Sequence, residues 1–285
     1  MTYIRPEHEV IADVLRRMNH KILQDNKCFF GGGTAIVLRY GEYRQSLDVD
    51  FLCYSQEGYR ALRTAVTTGG PHALIPNDIE IAREHKTDGY GIRMFLRHRG
   101  QPIKFEIVKE GNIDISGAVD ANLGVPVLDP VSMFATKLLA NADRWADRST
   151  AYRDAIDLGM LVKNHKAIPK ESLEKALKAY GEPTIAWGLV GAVNKLSEKE
   201  NMRYAAEALD MTVDAVETAA NALRRQACKL LPKADIVGRP GPPQEARVDR
   251  SDLVIAQRPN PRPNPSKATE NNDQSYTYNP PGMRR

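Results

Sequence analysis

The chain has 285 residues, of which 42% are apolar and 27% charged, enough to enclose a sizeable core and too apolar for whole-chain disorder. Its formal net charge is only +4, and residues 233–285 hold nine Lys/Arg against six Asp/Glu, so the first 232 residues are near neutral. Bulk electrostatics therefore give no argument for a nucleic-acid partner, which has to rest on local patches. Cys28, Cys53 and Cys228, without a CxxC pair, support neither a disulfide framework nor a zinc cluster. No window reaches the roughly 18 apolar residues of a membrane span, and the opening MTYIRPEHEV lacks the basic-then-apolar plan of a secretory signal. The expectation is a cytoplasmic protein with no membrane partner.

Pro6, Glu7 and Glu9 open a helix that the spacing of Val10, Ile11, Val14, Leu15, Met18 and Ile22 carries over 6–25. Cys28-Phe29-Phe30 reads as a short strand entering the turn Gly31-Gly32-Gly33-Thr34, with a helix leaving it through Ala35, Ile36 and Leu38. A strand follows over Asp48–Tyr54, and Ser55 caps the helix after it. Ile79–Glu84 alternates weakly, and residues 90–109 read as a hairpin turning at Arg99-Gly100. After Asp129-Pro130 the period becomes 3.6, with helices over roughly 131–145, 150–163, 170–180, 184–197, 200–209 and 212–231. Proline clusters such as Arg258-Pro259-Asn260-Pro261 then exclude helix and central strand. The order is that of an α+β domain over 1–128, a helical domain over 129–232 and a disordered, proline-rich tail over 233–285.

The chemistry concentrates in two early segments. Residues two apart on a strand share a face, so Asp48 and Asp50 present parallel carboxylates while Val49 and Phe51 turn to the core. Two such charges make sense when divalent cations neutralise them, and hard oxygen ligands suit Mg2+ or Mn2+. A glycine turn followed at once by a helix leaves free amides at the positive helix end, a ready anion site. Together they describe a place where a triphosphate and two metal ions are held. Glu106, an acid in mid-strand between Phe105 and Ile107, is the preferred third carboxylate over Glu110 and Asp114, which share its strand parity but lie towards a loop beginning at Gly111. Each piece alone has a plainer reading as a surface turn, a surface DxD or a hairpin residue facing water.

In the helical part, Lys137 and Arg144 flank one apolar stripe, and Asp154 and Asp157 sit on a helix that is apolar nearly all round. Those acids need cationic or metal partners, for which Lys137, Arg144 and Arg153 are available, and the set is either an interhelical salt-bridge network or a substrate-binding one. Arg93, Arg97 and Arg99 are a candidate local phosphate patch. The six histidines show no HExxH or other paired spacing, and no GK[ST] follows the glycines.

The motifs Phe30-Gly31-Gly32-Gly33-Thr34, Arg44-Gln45-Ser46-Leu47-Asp48-Val49-Asp50-Phe51, Lys137-Leu138-Leu139-Ala140 with Arg144, and Arg153-Asp154 with Asp157-Leu158 resemble those of the AbiEii/AbiGii nucleotidyltransferase toxins, a branch of the DNA polymerase β-like superfamily. The resemblance spans about residues 25–165. It implies a mixed sheet with flanking helices and Mg2+-dependent transfer of a nucleoside monophosphate from an NTP, with pyrophosphate leaving. Carried over, it implies that Gly32, Gly33, Thr34 and Ser46 bind nucleotide with Lys137, Arg144 and Asp157. Asp48, Asp50 and Glu106 would hold metal, with Lys137 and Asp154 completing the catalytic set. It further implies an RNA acceptor, most readily a tRNA 3′ end, and a cognate antitoxin in a toxin–antitoxin or phage-defence pair. The competing readings are the same chemistry on a small-molecule, protein or nucleotide acceptor, and a non-catalytic protein that binds NTP or a partner.

Overall fold

The described residues of the computed structural model are 2–239; the greater part of the expected tail, residues 240–285, lies outside the described residues. The N-terminal segment folds as two helices rather than one, α1 (Pro6–Arg17) and α2 (His20–Asp25). Met18 is extended, and the Asn19 side chain accepts the Ile22 amide, so a new cap restarts the helix where hydrophobic spacing alone would have continued it. Then come β1 (Cys28–Phe30), α3 (Gly32–Arg39), β2 (Val49–Cys53) and α4 (Gln56–Gly69), with Ser55 accepting the Gly58 amide as the expected cap.

Five further strands complete a seven-stranded sheet: β3 (Glu80–Thr87), β4 (Gly91–His98), β5 (Gln101–Lys109), β6 (Gly117–Val119) and β7 (Pro126–Leu128). Their order is β3-β4-β5-β2-β1-β7-β6, with β2 parallel to β5 and β1 parallel to β7 in an otherwise antiparallel arrangement. The hairpin is β4–β5, as its alternation requires. β6 and β7 have three residues each, too few to show a period, and were not expected.

Phe30, Phe51 and Phe105 lie side by side across β1, β2 and β5, with ring centroids 5.5 and 5.8 Å apart, and are fully buried. This apolar row fixes the register of the three strands. By the alternation of a pleated strand, the neighbours of Phe51 and Phe105, namely Asp50 and Glu106, turn to the opposite face. They are direct partners in the parallel β2–β5 register.

Six helices follow: α5 (Pro130–Arg144), α6 (Arg153–His165), α7 (Lys170–Tyr180), α8 (Glu182–Lys195), α9 (Lys199–Ala208) and α10 (Val213–Leu230). Asp129 caps α5 by accepting the Ser132 amide, with Pro130 at its first position. Helix α6 packs against α10, α5 and α3, which is why every residue from Asp154 to Val162 is buried. One continuous apolar core joins the sheet to these helices. Residues 233–239, counted with the tail from sequence, fold back: Ile236 is buried, and Arg239 donates to the carbonyls of Leu231, Pro232 and Ala234. No helix among the described residues is long and apolar enough to cross a membrane.

Candidate active site

A cavity of about 420 Å³ opens between the acid-bearing face of the sheet and helices α5 and α6. Gly32, Gly33, Ser46, Asp48, Asp50, Glu106, Lys137 and Arg144, all singled out from sequence, line it. Gly32 has φ +67°, and a Cβ there would fall 2.8 Å from Asp50 Oδ2, so only glycine lets the turn lie against that carboxylate. The Gly31 amide donates to the Asp50 carbonyl at 2.8 Å, locking the turn to β2. The amides at the start of α3 thus stand beside the DxD, positive helix end next to negative side chains.

Thr34 lies behind this wall: it is buried, and its Oγ1 is 2.8 Å from Ser46 Oγ. The Ser46 amide donates to His8 Nε2 at 3.3 Å, while His8 Nδ1 is 2.9 Å from Glu42 Oε1. The two contacts together require a neutral imidazole with its proton on Nδ1. Burial lowers the His8 pKa, against the opposing pull of Glu42, in keeping with that state.

Asp154 and Asp157 also stand behind the cavity and hold its cations. Arg44 binds Asp157 bidentately, Nε to Oδ1 at 2.8 Å and Nη2 to Oδ2 at 2.9 Å, and Tyr43 donates to Oδ1 at 2.7 Å. Lys137 Nζ bridges Asp154 Oδ1 at 2.9 Å and Asp157 Oδ2 at 2.8 Å, and Arg144 reaches Asp154 from the far side at 2.8 Å. The interhelical network is therefore real. Three cations share two buried carboxylates, leaving one net positive charge along the wall. Burial opposes ionisation of both acids, yet Arg44 with Lys137 holds the Asp157 carboxyl far below the ordinary range, and Lys137 with Arg144 lowers that of Asp154. Asp157, fully buried, makes no part of the cavity wall.

Opposite these cations, burial and then the charge of Asp48 push the Asp50 pKa up to about 6. That pair lacks sufficient positive charge of its own. Glu106 Oε1 accepts Arg93 Nε at 3.1 Å, and Oε2 pairs with Lys104. No three His, Cys, Asp or Glu side chains form a ready metal cage among the described residues. The donor set itself, carboxylate oxygens on one cavity with an under-compensated acid pair, fits a hard divalent cation. Arg97 pairs with Glu80 and Arg99 with Asp13, so the expected arginine patch is tied to carboxylates.

Arg44, Lys104 and Tyr180 also line the cavity and were not expected there from sequence. Lys104 was accessible in principle, having the strand parity of Glu106; Arg44 carried no local signal for its role.

A model of the family "Nucleotidyl transferase AbiEii toxin, Type IV TA system" matches residues 13–226, three-quarters of the chain. The chain belongs to the AbiEii nucleotidyl transferase toxin family. No curated protein matches it. Among solved structures, a putative nucleotidyltransferase from H. pylori shares 21% identity at a TM-score of 0.48, covering 80% of this chain and 96% of that one. An antigenic nucleotidyltransferase-like protein from Paracoccidioides brasiliensis shares 14% at a TM-score of 0.41, covering 75% and 98%. The nucleotidyltransferase toxin MenT4 from Mycobacterium tuberculosis H37Rv shares 16% at a TM-score of 0.30, covering 77% and 95%. As an AbiEii member the protein is a transferase, and membership of a type IV toxin–antitoxin family implies an NTP substrate and an antitoxin partner.

Proposed function

We propose that the protein transfers a nucleoside monophosphate from an NTP to a hydroxyl of an RNA acceptor, with the 3′ end of tRNA the leading candidate. It would act in the cytoplasm as a toxin of a toxin–antitoxin or phage-defence pair. The observation that carries this reading is the single cavity shared by Gly32, Gly33, Asp48, Asp50, Glu106 and the cations Arg44, Lys137 and Arg144. The helix-end amides and Lys137 bind and orient the triphosphate, and the cavity's cations offset its charge. Asp48, Asp50 and Glu106 would hold Mg2+ or Mn2+, two ions in all, which supply charge neutralisation at the phosphates. The acceptor oxygen forms a bond to the α-phosphorus, the bond to pyrophosphate breaks, and a carboxylate of the site, Glu106 the candidate, receives the hydroxyl proton. Asp154 and Asp157 act through Lys137, Arg144 and Arg44 by fixing where those cations stand.

An RNA acceptor has support beside the cavity. Trp187 on α8 is 67% exposed and stands edge-on against Trp145, with centroids 5.1 Å apart, and Trp145 directly follows Arg144 of the cavity wall. An exposed aromatic packed on the chain neighbour of a cavity cation is the kind of platform on which unpaired bases stack. A small-molecule or protein acceptor is favoured instead by the pairing of Arg93, Arg97 and Arg99 with carboxylates, which removes a wide phosphate-binding face.

The test is incubation of the purified protein with Mg2+, each α-labelled NTP in turn and total RNA. Label is expected in an RNA band for at least one NTP, and Asp48→Asn or Asp50→Asn is expected to abolish it with the fold intact. Transfer undiminished in those two variants overturns the assignment.

A further inference from the structure

Two residues apart on β5, Lys104 and Glu106 share the strand face turned to the cavity. The Lys104 ammonium bonds Glu106 Oε2, while Arg93, the register partner of Glu106 on β4, donates to Oε1 at 3.1 Å. Both oxygens of the third acid thus already have cationic partners. The two partners differ in freedom. Arg93 is tethered from behind, its Nη1 held by Asp88 at 2.9 Å. Lys104 is a single ammonium on a flexible stem, 43% exposed, and among the described residues no carboxylate besides Glu106 lies within ion-pairing distance of it. Asp48 and Asp50 line the same cavity as Lys104 and Glu106. Lys104 therefore sits in the combined field of all three acids.

We propose that Lys104 is a built-in counter-ion that competes with the divalent cation for Glu106 and so couples metal binding to triphosphate binding. This rests on the reading of Asp48, Asp50 and Glu106 as the metal-holding set. An ammonium and a hard dication cannot share Oε2 without strong repulsion. For a metal ion to be held there alone, Lys104 would have to leave Oε2 for a cavity that had just gained positive charge, so binding would be weak. When the triphosphate enters as well, its non-bridging oxygens accept the displaced ammonium, and the repulsion is replaced by attraction. Metal and nucleotide then each strengthen the other's binding by the same factor. Lys104 is a positioning residue, since it acts through Glu106 and the ions that carboxylate holds.

The experiment is a Mn2+ titration of the full chain, with free Mn2+ followed by electron paramagnetic resonance. It is run without nucleotide and with each of the four α,β-methylene NTP analogues, on the unsubstituted protein, K104M, K104R and D50N. Circular dichroism melting checks that each variant is folded. K104M is expected to bind Mn2+ alone about fivefold or more tightly than the unsubstituted protein, and to lose most of the gain that nucleotide brings. K104R keeps the charge and is expected to keep the coupling. Mn2+ binding by K104M that is unchanged or weaker, while D50N loses Mn2+, overturns the counter-ion role and leaves the metal site standing. Normal Mn2+ binding by D50N overturns the metal site itself, and the counter-ion role with it.

Discussion

Arg44 fills the space that a side chain at Gly33 would need: a Cβ on Gly33 would lie 2.1 Å from Arg44 Nη2 and 3.3 Å from Asp157 Oδ2. The glycine turn, the arginine and the α6 aspartate are therefore one packed unit, and none of the three can be altered without disturbing the others.

Gly33→Ala is expected to push the guanidinium off Asp157 and cost about 3–5 kcal/mol, the range for breaking a buried ion pair. Transfer activity should go with it. Gly89, where an added Cβ meets nothing within 4 Å, gives the control Gly89→Ala. Urea unfolding of the two variants decides the matter, and equal stability would show that Arg44 has somewhere else to go.

Asp157→Asn leaves Arg44 and Lys137 short of a buried counter-charge, and a loss of similar size, about 3–5 kcal/mol at neutral pH, is expected. The pH dependence has a definite sign. Burial opposes the Asp157 charge, but Arg44 and Lys137 prevail and depress the folded-state pKa. Its stabilisation is present above the unfolded value of about 3.9 and drains away as pH falls below that. Acid unfolding followed by tryptophan fluorescence should therefore lose part of its steepness below pH 4 in the variant.

His8 acts in a higher window. Its folded-state pKa is depressed by burial, so as pH falls below about 6.5 the unfolded chain takes up the proton first and the folded state loses stability. Protonation at Nε2 also removes the acceptor of the Ser46 amide. Melting temperature should fall between pH 7.5 and 5.5, and His8→Gln should shallow that fall. His165, depressed for the same reason of burial, adds to the slope, while Asp50, whose pKa is pushed up to about 6, takes up a proton in the folded state in the same window and works against it. An identical slope in His8→Gln would assign the whole effect elsewhere.

Trp187→Ala tests the acceptor. Loss of one stacking partner is worth about 1–3 kcal/mol per base, so KM for RNA should rise several-fold while KM for NTP stays put. Equal kinetics for both substrates would remove the Trp145–Trp187 pair from RNA binding.

Much of this arrangement was legible in the sequence because its signals are local. The period-two spacing of Asp48 and Asp50, the glycine turn running into a helix, and Glu106 between two core residues each declare face and element within a few positions. The helical stripe of α5 declared Lys137 and Arg144 in the same way, and the acids of an all-round apolar helix announced that they needed partners. What escaped notice depended on long-range pairing. Arg44 looks like any loop arginine until Asp157 meets it, and Lys104 looks like a solvated strand residue until β2 lays two aspartates beside it. The break at Asn19 turned on one capping side chain competing with an otherwise unbroken hydrophobic period.

The bidentate pair between Arg44 and Asp157 joins positions 113 apart in the chain. A polypeptide that stops short of Asp157 lacks both the anion that receives this guanidinium and the helix that encloses it. Tyr43 reaches the same carboxylate from one position further back, so the cation-bearing wall of the cavity closes only after more than half of the chain is in place.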